Sequence, residues 1–211
     1  MRAFKRGMDK MNKTYVLYAK CPDGMIGSDL YPKERMDEIK KCASQKAQRE
    51  KYYVWVLLGR ALRKLFNLDI DNLQFTKKSN GKWISPSIYF SLAHTDGLVA
   101  VAISLSSVGV DCEFIRPMKS GIENKILTER ELCELESIPS CKKDLYIIDK
   151  WCRKEAIFKM KDSTALMPKT IECDAYNLTC EKVSVCDREY LLACCTSDNI
   201  SEVVTEMVIL D

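Results

Sequence analysis

The run Val108-Gly109-Val110-Asp111-Cys112-Glu113-Phe114 (108–114) reads as a β-strand and carries two acids two residues apart. Side chains on a strand face alternate ways, so Asp111 and Glu113 emerge together while Val110, Cys112 and Phe114 point into apolar packing. Two neighbouring carboxylates repel and raise each other's pKa unless a cation neutralises them. Oxygen-only donors suit Mg²⁺, which takes few protein carboxylates and keeps water and substrate phosphate. A pair of exposed strand-edge charges is the plain alternative.

A second block, WCRKEAIFK (151–159), lies in a segment that reads as a helix over 144–161. Its stripe runs Ile148, Trp151, Glu155, Phe158 and Lys159 and is apolar apart from Glu155 and Lys159. Charges at the border of a buried face are costly unless paired or bound to metal. A surface Glu155–Lys159 pair at i, i+4, worth roughly 0.3 kcal/mol, is the bland reading. The sharper one adds a third carboxylate to Asp111 and Glu113, with a lysine one turn away suited to a phosphate.

The chain has 211 residues, 46% hydrophobic and 30% charged, with a net charge of +3. That allows a sizeable core in one domain or two small ones. The charge gives no ground for a nucleic-acid partner. Basic residues cluster early, at Arg2, Lys5, Arg6, Lys10 and Lys13, then at Lys40, Lys41, Lys46, Arg49 and Lys51. Such a gradient serves a polyanionic ligand or an acidic partner, unless these are solvated helix faces. Eleven cysteines and one histidine form no Cys-x-x-Cys pair, so a zinc site is not expected. The cysteines read as small apolar residues in a reducing compartment. No run of about 18 apolar residues marks a membrane span. The N-terminus has charge without an apolar core, so no secretory signal is read and a cytoplasmic protein is expected. Met1, Met8 and Met11 are all candidate starts, and the first dozen residues are expected to be disordered.

Working outward, residues 15–18 read as a strand and 33–66 as helical with a break near Gly59. Residues 68–75 read as a weak strand, and Ser79-Asn80-Gly81-Lys82 as a turn. Two runs, 88–93 and 98–104, flank a hairpin loop at His94-Thr95-Asp96-Gly97. Residues 128–136 read as a helix, where Thr128 with Glu131 fits a capping box. Residues 170–210 are β-rich. A helix followed by strands, twice, predicts an α+β fold of two similar sheet-plus-helix halves, 1–105 and 106–211. His94, placed in the loop beside Thr95, has three readings: a phosphate contact, a general base or a surface residue. Lys82 follows a glycine turn and would reach the same mouth.

FSLAHT (90–95), VGVDCE (108–113) and WCRKEAIFK (151–159) have the order and spacing of a known family. The chain resembles the Sfp-type 4′-phosphopantetheinyl transferases over roughly residues 35–168, with NGK (80–82) and LLGRAL (57–62) as weaker echoes. The resemblance implies the family's pseudo-twofold fold and Mg²⁺ held by Asp111, Glu113 and Glu155. It implies coenzyme A as co-substrate, its phosphates contacted by Lys40, Lys41, Lys82, His94 and Thr95. Glu155 would help deprotonate a serine hydroxyl, and Lys159 would assist the departing 3′,5′-ADP. The product implied is a holo acyl or peptidyl carrier protein, made by a monomeric enzyme.

Three positions depart from the family pattern. Trp55, followed by Val56, stands where an arginine often holds the 3′-phosphate. Ala93 stands for serine, and Lys161-Asp162-Ser163 replaces a Gly-Lys-Gly tail. Two further readings stay open: a non-catalytic homologue that binds CoA or a carrier protein, and another Mg²⁺-dependent phosphoryl-transfer or hydrolytic enzyme.

Overall fold

A computed structural model describes residues 13–24, 26–197 and 202–210. The candidate starts, the expected disorder of the first dozen residues, and Arg2, Lys5, Arg6 and Lys10 lie outside them. The elements run β1 (Lys13–Lys20), α1 (Lys33–Lys40), α2 (Gln45–Phe66), β2 (Thr76–Lys77), β3 (Trp83–Ile84), β4 (Tyr89–Thr95), β5 (Leu98–Ser104) and β6 (Val108–Phe114). They continue with α3 (Glu123–Ile126), α4 (Glu129–Glu136), α5 (Ser140–Lys161), β7 (Asn177–Val185), β8 (Arg188–Thr196) and β9 (Glu202–Met207).

The alternation of each strand builds four layers. One sheet runs β4-β5-β1-β9 and another β6-β8-β7, with β2-β3 a small separate ribbon. Tyr15, Leu17, Val99, Val101 and Ile103 pack on the apolar face of α2, through Val54, Leu57, Leu58 and Ala61. The opposite faces of the two sheets meet through Val16, Ala100 and Ala102 against Val108, Val110, Cys112, Leu192 and Cys194. Leu191, Ala193 and Cys195 then turn outward onto Ile148, Cys152, Ala156 and Ile157 of α5. β5 is buried along its whole length, as expected of a strand covered on both faces. The result is an α+β fold of two similar halves, each a sheet backed by one 22-residue helix.

The expected division into 1–105 and 106–211 falls in the β5–β6 link. β9, from the far end of the chain, crosses back and lies parallel to β1. It satisfies the edge hydrogen-bonding groups that β1 would otherwise expose.

Local chemistry corrects three expectations. The helical segment breaks at Lys41–Ser44, not at Gly59, because Ser44 caps α2 by accepting from the Ala47 N–H. Residues 68–75 hold a 3₁₀ turn at Ile70–Asn72 rather than a strand, since Asp69 accepts from the Asp71 N–H. His94 and Thr95 end β4, and the hairpin turn is Asp96-Gly97 alone, with Gly97 at φ +90. The capping box at Thr128 and Glu131 forms in full. Among the described residues no helix is long and apolar enough to cross a membrane.

Candidate active site

β6 and α5 touch because of one glycine. A Cβ on Gly109 would lie 2.0 Å from the Ala156 carbonyl oxygen and 2.4 Å from the Met160 nitrogen. Gly109, Asp111 and Glu113 share the strand face turned toward α5, so the close approach carries both acids under Glu155 and Lys159. Lys159 Nζ donates to Asp111 Oδ1 at 2.7 Å and to the Val110 carbonyl at 3.1 Å. The ion pair of this block is therefore Lys159 with Asp111, not Lys159 with Glu155 one turn away. Glu113 accepts from Trp151 Nε1 at 2.8 Å and lies 3.5 Å from Arg116.

The three carboxyls feel one charge field. Burial pushes the Glu155 carboxyl up to about 7, with Asp111 and Glu113 adding repulsion. Burial, then Asp111, raises Glu113. Burial raises Asp111 against the pull of Lys159. The Lys159 ammonium is opposed by burial, but Asp111 more than offsets this and holds it above the ordinary lysine range. Among the described residues no three His, Cys, Asp or Glu side chains are gathered closely enough to clasp an ion. The donor chemistry, carboxylate oxygen throughout, is nevertheless the kind a hard divalent cation takes. Asp111 Oδ2 is buried without a hydrogen-bond partner, and a cation there would relieve the repulsion that raises Glu113 and Glu155. Six of the eleven cysteines, Cys21, Cys112, Cys152, Cys173, Cys194 and Cys195, are buried as small apolar residues, while Cys133, Cys141 and Cys186 are exposed.

Beside the acids lies a cavity of about 270 Å³ whose lining includes Arg35, Lys51, Lys82, His94, Lys159 and Asp162. Each cation here has an acid. Glu38 lies 3.3 Å from Arg35 and 3.5 Å from Lys51. Burial works against the Glu38 charge, yet the Trp83 N–H, Arg35 and Lys77 hold its pKa at about 2. Glu50 lies 3.1 Å from His94 Nδ1 and accepts from the Gly97 N–H at 2.9 Å. Burial opposes the Glu50 charge too, but those two donors keep its pKa below the ordinary value. Lys82 donates to the Lys159 carbonyl at 2.7 Å and lies 3.7 Å from Asp162.

The predicted residues thus divide. Lys82, His94 and Lys159 share the cavity. Asp111, Glu113 and Glu155 form the adjoining acid cluster. Thr95 is half-buried at the end of β4, and Lys40 and Lys41 are exposed at the end of α1, outside the cavity lining. Lys51, read from the sequence only as one of a basic cluster, lines the cavity, whereas Arg35, Glu38 and Glu50 were not read from the sequence. Glu50 had a signal, since it precedes Tyr53 and Leu57 by three and seven residues on the apolar stripe of α2. Arg35 had none. Trp55, in the place of a phosphate-holding arginine, is buried, donates to the Tyr31 carbonyl, and carries the Arg35 guanidinium 5.1 Å from its ring centre. A cation is thus brought against that position from α1. Ala93 is buried between the sheets.

The comparison with known proteins finds likeness to one family, over the part of the chain that carries the acids and the lysine. Residues 107–200, from the link before β6 past the end of β8, match the model of the 4′-phosphopantetheinyl transferase superfamily. The chain is 29% identical over 108 residues to 4′-phosphopantetheinyl transferase psf-1 of Bacillus pumilus, covering 50% of this chain and 46% of that protein. It is 29% identical over 105 residues to the transferase gsp of Aneurinibacillus migulanus, 49% of this chain and 44% of the relative. To ffp of Bacillus subtilis it is 23% identical over 116 residues, 54% and 52%. The match thus spans about half the length of the curated relatives.

Proposed function

We propose that the protein transfers the 4′-phosphopantetheine arm of coenzyme A to a serine of an apo acyl or peptidyl carrier protein, releasing 3′,5′-ADP. The observation that carries this reading is the cation-lined cavity of Arg35, Lys51, Lys82, His94 and Lys159 opening beside the Asp111–Glu113–Glu155 cluster. The cavity suits the phosphates of CoA. Asp111, Glu113 and Glu155 would hold Mg²⁺, which when bound supplies charge neutralisation at the anhydride.

Glu155 takes the proton of the attacking serine hydroxyl, directly or through a water. A serine hydroxyl is a weak nucleophile at neutral pH, and a carboxylate within reach can accept its proton as the bond to phosphorus forms. The serine oxygen forms a bond to phosphorus, the anhydride P–O bond breaks, and negative charge builds on the leaving oxygen. Lys159 meets that charge, and Lys82 and His94 orient the phosphates. Lys40 and Lys41, exposed at the end of α1, would draw in a polyanion through surface charge, and Thr95 would offer its hydroxyl to a phosphate. A second cavity, lined by Glu113, Arg116, Lys125, Met118, Ile122 and Trp151, offers an apolar floor with basic edges to an acidic carrier. A reducing, cytoplasmic setting and a monomeric state complete this reading, in which every residue named comes from one chain.

Incubation with CoA, Mg²⁺ and several apo carrier proteins tests this by mass spectrometry. A gain of one phosphopantetheine arm on a carrier is expected. CoA or carrier binding with no gain on any carrier supports the non-catalytic alternative, for which the departures at Trp55 and Ala93 speak. Nucleotide breakdown without a carrier supports a different phosphoryl-transfer enzyme.

A further inference from the structure

Asp162 is the feature of this cavity that its proposed use leaves unexplained. It ends α5 in the left-handed region at φ 55, a conformation that Gly and Asn accept readily. Its carboxylate reaches across to the turn between β2 and β3. Oδ2 accepts from Lys78, Oδ1 accepts from Asn80 at 3.3 Å, and Lys82 lies 3.7 Å away. An acid among the lining of a cavity otherwise rich in cations is out of place if the cavity receives phosphates. It satisfies Lys78 and Lys82 before any ligand arrives, and it ties the β2–β3 ribbon to the last turn of α5.

We propose that Asp162 sets the anion affinity of the cavity, competing as an internal carboxylate for the lysines that a phosphate ligand would take. The inference rests on the reading of this cavity as a phosphate site and adds to it a residue that tunes the site. An incoming phosphate must either displace the carboxylate from Lys82 or share the lysine with it, and like charges at contact distance oppose the second course. The more negative the ligand, the larger the penalty. Lys82 is also held by the Lys159 carbonyl. Loss of Asp162 therefore leaves its ammonium anchored in the cavity, with more of its charge open to a ligand.

Binding of inorganic pyrophosphate and of inorganic phosphate, measured by calorimetry at low salt without divalent metal, tests this. Asp162→Asn and Asp162→Gly keep a residue at home in the left-handed cap, so both variants fold. Asp174→Asn removes the same charge from an exposed acid paired with Arg130, outside the cavity lining, and controls for net charge. Both Asp162 variants are expected to bind pyrophosphate about tenfold more tightly than the wild type, the order for one unit charge removed near a partly exposed ligand. The gain for phosphate should be smaller, and Asp174→Asn should bind as the wild type does. Equal or weaker pyrophosphate binding by Asp162→Asn overturns the role of Asp162 and leaves the transfer reaction standing. Absence of pyrophosphate binding in the wild type and both variants overturns this proposal and the phosphate reading of the cavity together.

Discussion

Glu155→Gln offers the most direct test of the acid cluster, because its effect on stability has a sign and a pH window. In the folded protein the Glu155 carboxyl titrates at about 7 rather than 4.5, through burial and then repulsion from Asp111 and Glu113. Between those values the folded state keeps a proton that the unfolded chain has released. Stability therefore falls as pH rises from about 4.5 to about 7 and stays low above it. The full rise corresponds to about 3 kcal/mol at about 1.36 kcal/mol per pH unit. The side chain is partly exposed, and solvent screening lowers this to about 2 kcal/mol. Glutamine keeps the shape and cannot ionise. The variant should match the wild type near pH 4.5 and be about 2 kcal/mol more stable at pH 8, or about 6 °C in Tm for a chain of this size. Millimolar Mg²⁺ should raise the wild-type Tm at pH 8 and raise that of Glu155→Gln less, since the variant has already lost part of the repulsion. Thermal unfolding of both proteins at four pH values, with and without Mg²⁺, is the assay. A stability difference that does not change with pH, or a variant weaker than the wild type at pH 8, would refute the reasoning.

Gly109→Ala should cost about 3 kcal/mol or more, because the new methyl meets backbone of α5 rather than a movable side chain; a variant that melts within a few degrees of the wild type would show that α5 is not held against β6. Glu131→Gln leaves the fully buried Lys154 ammonium without the carboxylate now 2.5 Å away, and should cost roughly 4 kcal/mol in urea unfolding. The double change with Lys154→Met should recover much of that loss. Lys159→Met should depress turnover at saturating CoA more than it weakens CoA binding, and the reverse pattern in steady-state kinetics would remove its assigned role.

Much of the fold follows from local pattern. β6 is legible from period-two alternation and the long helix α5 from a 3.6-residue stripe, while the β4–β5 hairpin shows as two apolar runs on either side of a turn signal. The capping box at Thr128 is legible because its two partners lie three residues apart. The helix break is not legible in that way, since Ser44 and Gly59 both carry a breaking signal and only packing chooses between them. Gly59 lies against Ile70 and stays helical. Nor does any local pattern bring β9 to β1, a parallel pairing across nearly the whole chain.

The acids and the lysine of the site could be named from the chain alone, because strand alternation puts Asp111 and Glu113 on one face and the helical repeat puts Glu155 near Lys159. The choice of counter-charge belongs to the tertiary structure. Lys159 takes Asp111 over Glu155, His94 takes Glu50, Arg35 comes from α1 to lie over Trp55, and Asp162 reaches Lys78 across the cavity. Periodicity acts over a few residues and is carried by the letters. Coulomb attraction and desolvation depend on distance and burial, and these exist only once distant segments have packed.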